Sequence, residues 1–109
     1  MPKQIHPTVL DAKLKAGETV YLLDVRQPFE HEYARIEGDV LIPLNELSER
    51  TDEVTPPEGA MIVVYCHHGV RSLSGAAILE SQGFGECYSL SGGIEAWSLL
   101  IDPTVRRYG

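Results

Sequence analysis

The chain is poor in cysteine, in aromatic residues and in positive charge, and it has no long apolar run. Two cysteines, Cys66 and Cys87, stand in 109 residues, too few for a scaffold held by disulfides. They lie 21 positions apart (87 − 66), and the sequence alone leaves a bridge possible, but two thiols read more naturally as free groups of a reducing compartment. No segment approaches the roughly 20 apolar residues of a membrane-spanning helix. The start, Met1 to His6, lacks the apolar stretch of a secretory leader. A cytoplasmic protein with no membrane partner is the expectation. Nine basic residues against sixteen acidic ones give a net charge of −7, which argues against nucleic acid or an anionic lipid surface as partner. Any anionic ligand must then be held by a local positive pocket against the overall field.

Internal repeats and low-complexity tracts are also lacking. The most linker-like stretch runs from Thr51 to Gly59 and includes Pro56 and Pro57. It is too short to separate domains, so residues 1–109 are read as one domain. What is present is a core-forming apolar fraction of 43% beside only 23% charged residues.

The apolar residues are arranged in alternating short elements. Ile5 marks a first strand. Pro7 to Lys15 has helical spacing, with Gly17 as its stop. Val20-Tyr21-Leu22-Leu23 is a continuous apolar run, as expected for a strand buried on both faces. Phe29 to Ile36 reads as a helix, Val40-Leu41-Ile42 as a strand, and Leu44 to Arg50 as one or two helical turns. Met61-Ile62-Val63-Val64-Tyr65 is the strongest strand signal. Ser72 to Gln82 is a helix with Gly83 past its end, Tyr88 to Leu90 a last strand, and Ile94 to Leu100 a last helix. Strands alternating with helices imply an α/β fold with a parallel sheet flanked by helices on both faces. Such sheets bind ligands beyond the carboxyl ends of their strands, at a switch point, which directs attention to the segment after Tyr65.

That segment is Cys66-His67-His68-Gly69-Val70-Arg71-Ser72, placed between the best strand and the best helix. A helix start points free N–H groups and a positive dipole end at the loop. Arg71 adds permanent charge, and His67 and His68 can add more. A tight ring of amides forms an anion-binding nest, and Gly69 allows the backbone angles it needs. All three effects favour a thiolate at Cys66. The competing reading is a small apolar residue at the end of a buried strand. A reactive Cys66 requires a side chain that is reachable from solvent. Cys87, beside Glu86, has no such surroundings and is taken as structural. A zinc site at Cys66-His67-His68 is rejected, because adjacent residues seldom converge on one ion.

Four motifs in order resemble the single-domain rhodanese family of thiosulfate-type sulfurtransferases: Leu22-Leu23-Asp24-Val25-Arg26 followed by Glu30; Arg35 to Leu44; Cys66 to Ser72; and Leu90-Ser91-Gly92-Gly93-Ile94-Glu95-Ala96-Trp97. The resemblance implies a rhodanese-like fold with a five-stranded parallel sheet and no cofactor or metal. It implies Cys66 as nucleophile, taking a sulfane sulfur from a small anionic donor such as thiosulfate as a persulfide and passing it to cyanide or a thiol. A protein donor or acceptor is a further candidate partner. His67, His68, Gly69, Val70, Arg71 and Ser72 would form the substrate-binding loop, with Arg71 orienting the donor. Gly69 to Ser72 would offer N–H groups to the outer sulfur, and Ser72 would also serve as N-cap. Asp24 and Arg26 are expected to support the site, with Arg26 paired to Glu30. Trp97 is expected in the core, and Arg106-Arg107-Tyr108 in a solvated tail. The family pattern commonly has Gly-His-Ile where this chain has Ala34-Arg35-Ile36.

Two other readings remain. Cys-loop phosphatases and arsenate reductases use a longer loop than the four residues between Cys66 and Arg71, suited to a tetrahedral oxyanion rather than one sulfur. A non-catalytic sulfur-carrier or regulatory module is the other alternative, although such modules usually lose the cysteine.

Overall fold

The computed structural model describes residues 2–109. Five strands, β1 (Lys3–Ile5), β2 (Val20–Asp24), β3 (Val40–Leu41), β4 (Met61–Tyr65) and β5 (Cys87–Leu90), form one sheet in the order β1-β5-β4-β2-β3. Every pairing is parallel. The helices are α1 (Pro7–Lys15), α2 (Pro28–Tyr33), α3 (Leu44–Leu47), α4 (Arg71–Ser81) and α5 (Gly93–Leu100), with a 3-10 turn at Thr51–Glu53. The expected fold class is therefore observed; β2 and β4 were visible as continuous apolar runs, whereas β1 was marked by Ile5 alone.

Alternation along β4 divides the core into two layers. Ile62, Val64 and Cys66 join Leu23, Val25, Leu47, Ala76 and Leu79 beneath α3 and α4. Val63 and Tyr65 join Leu10, Leu22, Ile94 and Trp97 beneath α1 and α5. Cys66 thus continues the period of the strand, and its side chain lies on the α3–α4 side. Trp97 lies in the core as expected. From β2 the chain moves outward to β3, and from β4 it moves the other way to β5. The carboxyl ends of β2 and β4 are therefore the switch point, and Asp24 pairs in register with Tyr65 there.

Two of the element ends that differ from expectation bear on the site. The helix expected from Phe29 to Ile36 stops at Tyr33, because Ala34 is extended and sends its side chain, with that of Ile36, into the core. Helix α4 begins at Arg71, with Val70 as N-cap, so Ser72 sits inside the first turn and does not cap the helix. Its hydroxyl is used elsewhere.

Helix α4 approaches the sheet closely at Gly75. A Cβ there would stand 3.1 Å from Val64 Cγ1 on β4 and 3.2 Å from Cγ1 of Val25, the residue just past β2. We predict that Gly75→Val lowers stability by about 2 kcal/mol or more through overpacking. Chemical denaturation should show an earlier midpoint at unchanged slope.

Candidate functional site

The loop after β4 owes its shape to the start of α5. The backbone N–H of Ile94 donates to the Cys66 carbonyl (2.9 Å), and that of Glu95 donates to the His67 carbonyl (3.2 Å). With these carbonyls satisfied from below, the following amides are free to turn inward. Gly93 makes the approach feasible: its φ is +61°, and a Cβ there would overlap the carbonyls of Cys66 and His67. Gly69, at φ +94°, turns the loop back over the sulfur. The N–H groups of Gly69 (3.1 Å) and Ser72 (3.3 Å) both donate to Cys66 Sγ.

A second polar path reaches the sulfur through hydroxyls. The Cys66 thiol contacts Ser72 Oγ at 3.4 Å, and Ser72 Oγ shares a 2.6 Å hydrogen bond with Ser89 Oγ on β5. Both serines are fully buried. A hydroxyl can rotate, so Ser72 can accept from a thiol or donate to an anionic sulfur while Ser89 satisfies its other position. Ser89 was not singled out in the sequence, where it reads as an ordinary strand residue. A buried hydroxyl in an apolar strand, on the same face as the loop, is the signal that marks it.

Not every expectation survives. Cys66 is only 1% exposed, so the side chain expected to be open to solvent is covered in this structure. The reason is its position in the period of β4, which turns it inward below the loop. Among the loop amides, hydrogen bonds to the sulfur come from Gly69 and Ser72; Val70 is the N-cap and points its side chain outward, 74% exposed. His67 is buried and His68 exposed, so the two do not flank the nucleophile equivalently. Burial and the neighbouring His68 lower the pKa of His67, which favours its neutral form. Cys87 is fully buried and free, and burial followed by the Glu80 carboxylate raises its thiol to about 11, in keeping with a structural residue.

The ion pairs are partnered differently from expectation. Arg26 does not pair with the Glu30 carboxylate. Its Nε and Nη2 form a forked bond to Asp24 Oδ1 (2.9 Å) and Oδ2 (2.8 Å). Its remaining donors go to the carbonyls of Ala34 (2.6 Å) and Glu30 (3.4 Å) and to Tyr108 Oη (2.9 Å). Arg26 is completely buried, and such a group needs this full set of acceptors. The Glu30 carboxylate instead receives Arg71, with Nη1 on Oε1 (2.7 Å) and Nη2 on Oε2 (2.9 Å). Arg71 is thus held in a bidentate grip beside the loop. Its partner Glu30 is held down to about 2, chiefly by Arg71, against the opposing effect of burial.

The C-terminal residues are not a free tail. Tyr108 Oη donates to Glu30 Oε2 (2.7 Å), and its ring stacks on His67 at 3.8 Å between centroids. Arg107 pairs with Glu95 at 2.6 Å. Nothing in the local sequence signals this, because the contacts span 78 positions from Tyr108 to Glu30. His31, Asp24 and Asp39 gather near the same end of the sheet. Asp24 there is already matched by Arg26, so the positive charge that such a cluster could attract is supplied by the protein itself.

The comparisons agree with this geometry. The Rhodanese-like domain family matches residues 6–100. "Thiosulfate sulfurtransferase GlpE" of Pseudomonas fluorescens is 36% identical over 97 residues, covering 87% of this chain and 84% of that protein. "Probable adenylyltransferase/sulfurtransferase MoeZ" of Mycobacterium tuberculosis is 34% identical over 104 residues, covering 95% of this chain; the chain spans only 26% of that protein's length. The solution structure of the rhodanese-like domain of an Anabaena protein superimposes with a TM-score of 0.80 at 26% identity, covering 100% of this chain and 87% of that one. An all-parallel five-stranded sheet with a cysteine loop at its switch point, matched over residues 6–100, defines the class: this chain belongs to the rhodanese-like domain family. Its relatives include proteins named as sulfurtransferases.

Two outcomes test the architecture of the site. Gly93→Ala should cost about 3 kcal/mol or more, because both a positive φ and a close backbone approach are violated, and thermal denaturation will register it. The lowered Glu30 value carries a definite sign. Its stabilising contribution is complete above the ordinary carboxylate value of 4.5 and is lost as pH falls toward about 2. Glu30→Gln should therefore be destabilised at neutral pH and should approach the parent protein in stability across that acid range, measured by denaturation at each pH.

Proposed function

We propose that residues 1–109 act as a single rhodanese domain that moves a sulfane sulfur from a small anionic donor such as thiosulfate to a thiol or cyanide, through a persulfide on Cys66. The observation that carries this reading is the convergence of the Gly69 and Ser72 amides on the Cys66 sulfur, at the start of α4 and beyond the carboxyl ends of β2 and β4. These donors suit a sulfur that bears negative charge. The name of the Pseudomonas relative is consistent with thiosulfate as donor.

The reaction has two halves. In the first, the Cys66 thiolate attacks the outer sulfur of thiosulfate; the S–S bond of the donor breaks, and sulfite leaves with the bonding pair. Cys66 then carries a persulfide whose outer sulfur holds the charge. In the second, cyanide or a thiolate attacks that outer sulfur and returns the Cys66 thiolate. His67, His68, Gly69, Val70, Arg71 and Ser72 form the substrate-binding loop, and Arg71 directs its remaining N–H groups to the anionic donor. Asp24 and Arg26 brace the switch point without touching the reacting atoms. Because Cys66 is covered, the reaction requires the loop to open and admit the donor.

Intact mass after incubation with thiosulfate should rise by one sulfur atom, and cyanide should remove it with release of thiocyanate. Cys66→Ser should fold normally and gain nothing; sulfur uptake by that variant, or phosphate release from an aryl phosphate by the parent protein, would overturn the reading. Arg71→Ala should raise the KM for thiosulfate by roughly tenfold or more, the scale of a charge-assisted contact. An unchanged KM would remove Arg71 from donor binding.

A further inference from the structure

The two ion pairs of the site meet at a residue from the far end of the chain. The pair Asp24–Arg26 is fully buried, whereas Glu30–Arg71 stands at the loop with Arg71 partly exposed. Tyr108 Oη accepts from Arg26 Nη1 (2.9 Å) and donates to Glu30 Oε2 (2.7 Å), so one hydroxyl links them. Glu30 Oε1 meanwhile accepts from the Gln27 N–H (3.0 Å) as well as from Arg71. The Glu30 carboxylate is thereby held by donors on both oxygens and has no freedom to swing. Of the five N–H donors of a guanidinium, Glu30 takes two of those on Arg71, leaving three (5 − 2) whose direction is set by the orientation of Glu30. The phenol of Tyr108 is pushed up to about 12, by burial first, and so stays a donor throughout the neutral range.

The geometry points to Tyr108 as a positioning residue for the anionic donor: by fixing Glu30 against Arg26, its hydroxyl aims Arg71 at the mouth of the Cys66 loop. This rests on the sulfur-transfer reading above and adds a residue outside the loop to it. The ring of Tyr108 stacks on His67 and has a separate, packing role. The two roles separate by substitution, since Tyr108→Phe keeps the ring and removes both hydrogen bonds, while Tyr108→Ala removes everything.

The test reads Glu30 directly and then the donor. Carboxyl carbon NMR should show the Glu30 titration midpoint higher in Tyr108→Phe than in the parent protein. The thiosulfate concentration giving half-maximal loading of Cys66, followed by intact mass, should rise roughly tenfold, the equivalent of about 1.4 kcal/mol. The maximal loading rate and the discharge by cyanide should stay within about twofold, because neither depends on capture of the donor. Tyr108→Ala should raise half-saturation at least as much as Tyr108→Phe and should also lower the melting temperature, because it strips the ring from His67 as well. A merely structural role would leave Tyr108→Phe like the parent protein, with Glu30 and half-saturation unmoved, and that result would overturn the proposal. So would a shifted Glu30 midpoint with unchanged half-saturation. Should the parent protein take up no sulfur, the sulfur-transfer reading fails by itself, and an unmoved Glu30 midpoint would still refute the brace.

Discussion

The geometry of this domain depends on the seating of α5 against the cysteine loop. A reactive loop at a strand end has carbonyls and amides in equal number, and both need partners. The first amides of α5 take the carbonyls of Cys66 and His67. Only then can the next amides of the loop face the sulfur without leaving buried acceptors unpaired. The close approach requires a residue without Cβ, and Gly93 meets that requirement. Gly93 is thus part of the site, although it lies far along the chain from Cys66 and touches no reacting atom.

A second constraint is electrostatic. The chain carries a net charge of −7, yet two arginines stand at the switch point. Each is matched by a carboxylate, Arg26 by Asp24 and Arg71 by Glu30, with Tyr108 between the pairs. Burying a charge pair stabilises little on balance, since desolvation offsets most of the attraction, but removing one partner leaves an uncompensated charge. The arrangement therefore contributes direction more than stability. Arg26 is wholly enclosed, whereas Arg71 is partly exposed and keeps three guanidinium N–H groups beyond the two that Glu30 takes.

Most of the fold was legible in the residues. The runs Val20–Leu23 and Met61–Tyr65 are apolar on both faces, the pattern of a strand covered on both sides. The order of the motifs placed Cys66 between a strand and a helix, and the structure puts that junction at the switch point. Less legible were the side-chain partners. Arg26 and Glu30 are four positions apart and of opposite charge, which suggested a pair; Asp24, two positions away, wins because its two oxygens take the Nε and Nη2 donors together while both residues are buried. Tyr108 read as part of a polar tail because arginines precede it, yet its ring covers His67.

Local chemistry and periodicity, which any stretch of residues carries with it, were enough to determine the parallel α/β class, the position of the cysteine loop and the residue types gathered in it. Tertiary structure alone decided the depth of Cys66 below its loop, the carboxylate that holds each arginine, the serine on β5 that completes the path to the sulfur, and the return of Tyr108 to the site. Apart from Asp24–Arg26, two positions apart, those contacts join residues 17 to 82 positions apart. They depend on how separate elements are brought together around a common core, and no pattern within a single element encodes that distance.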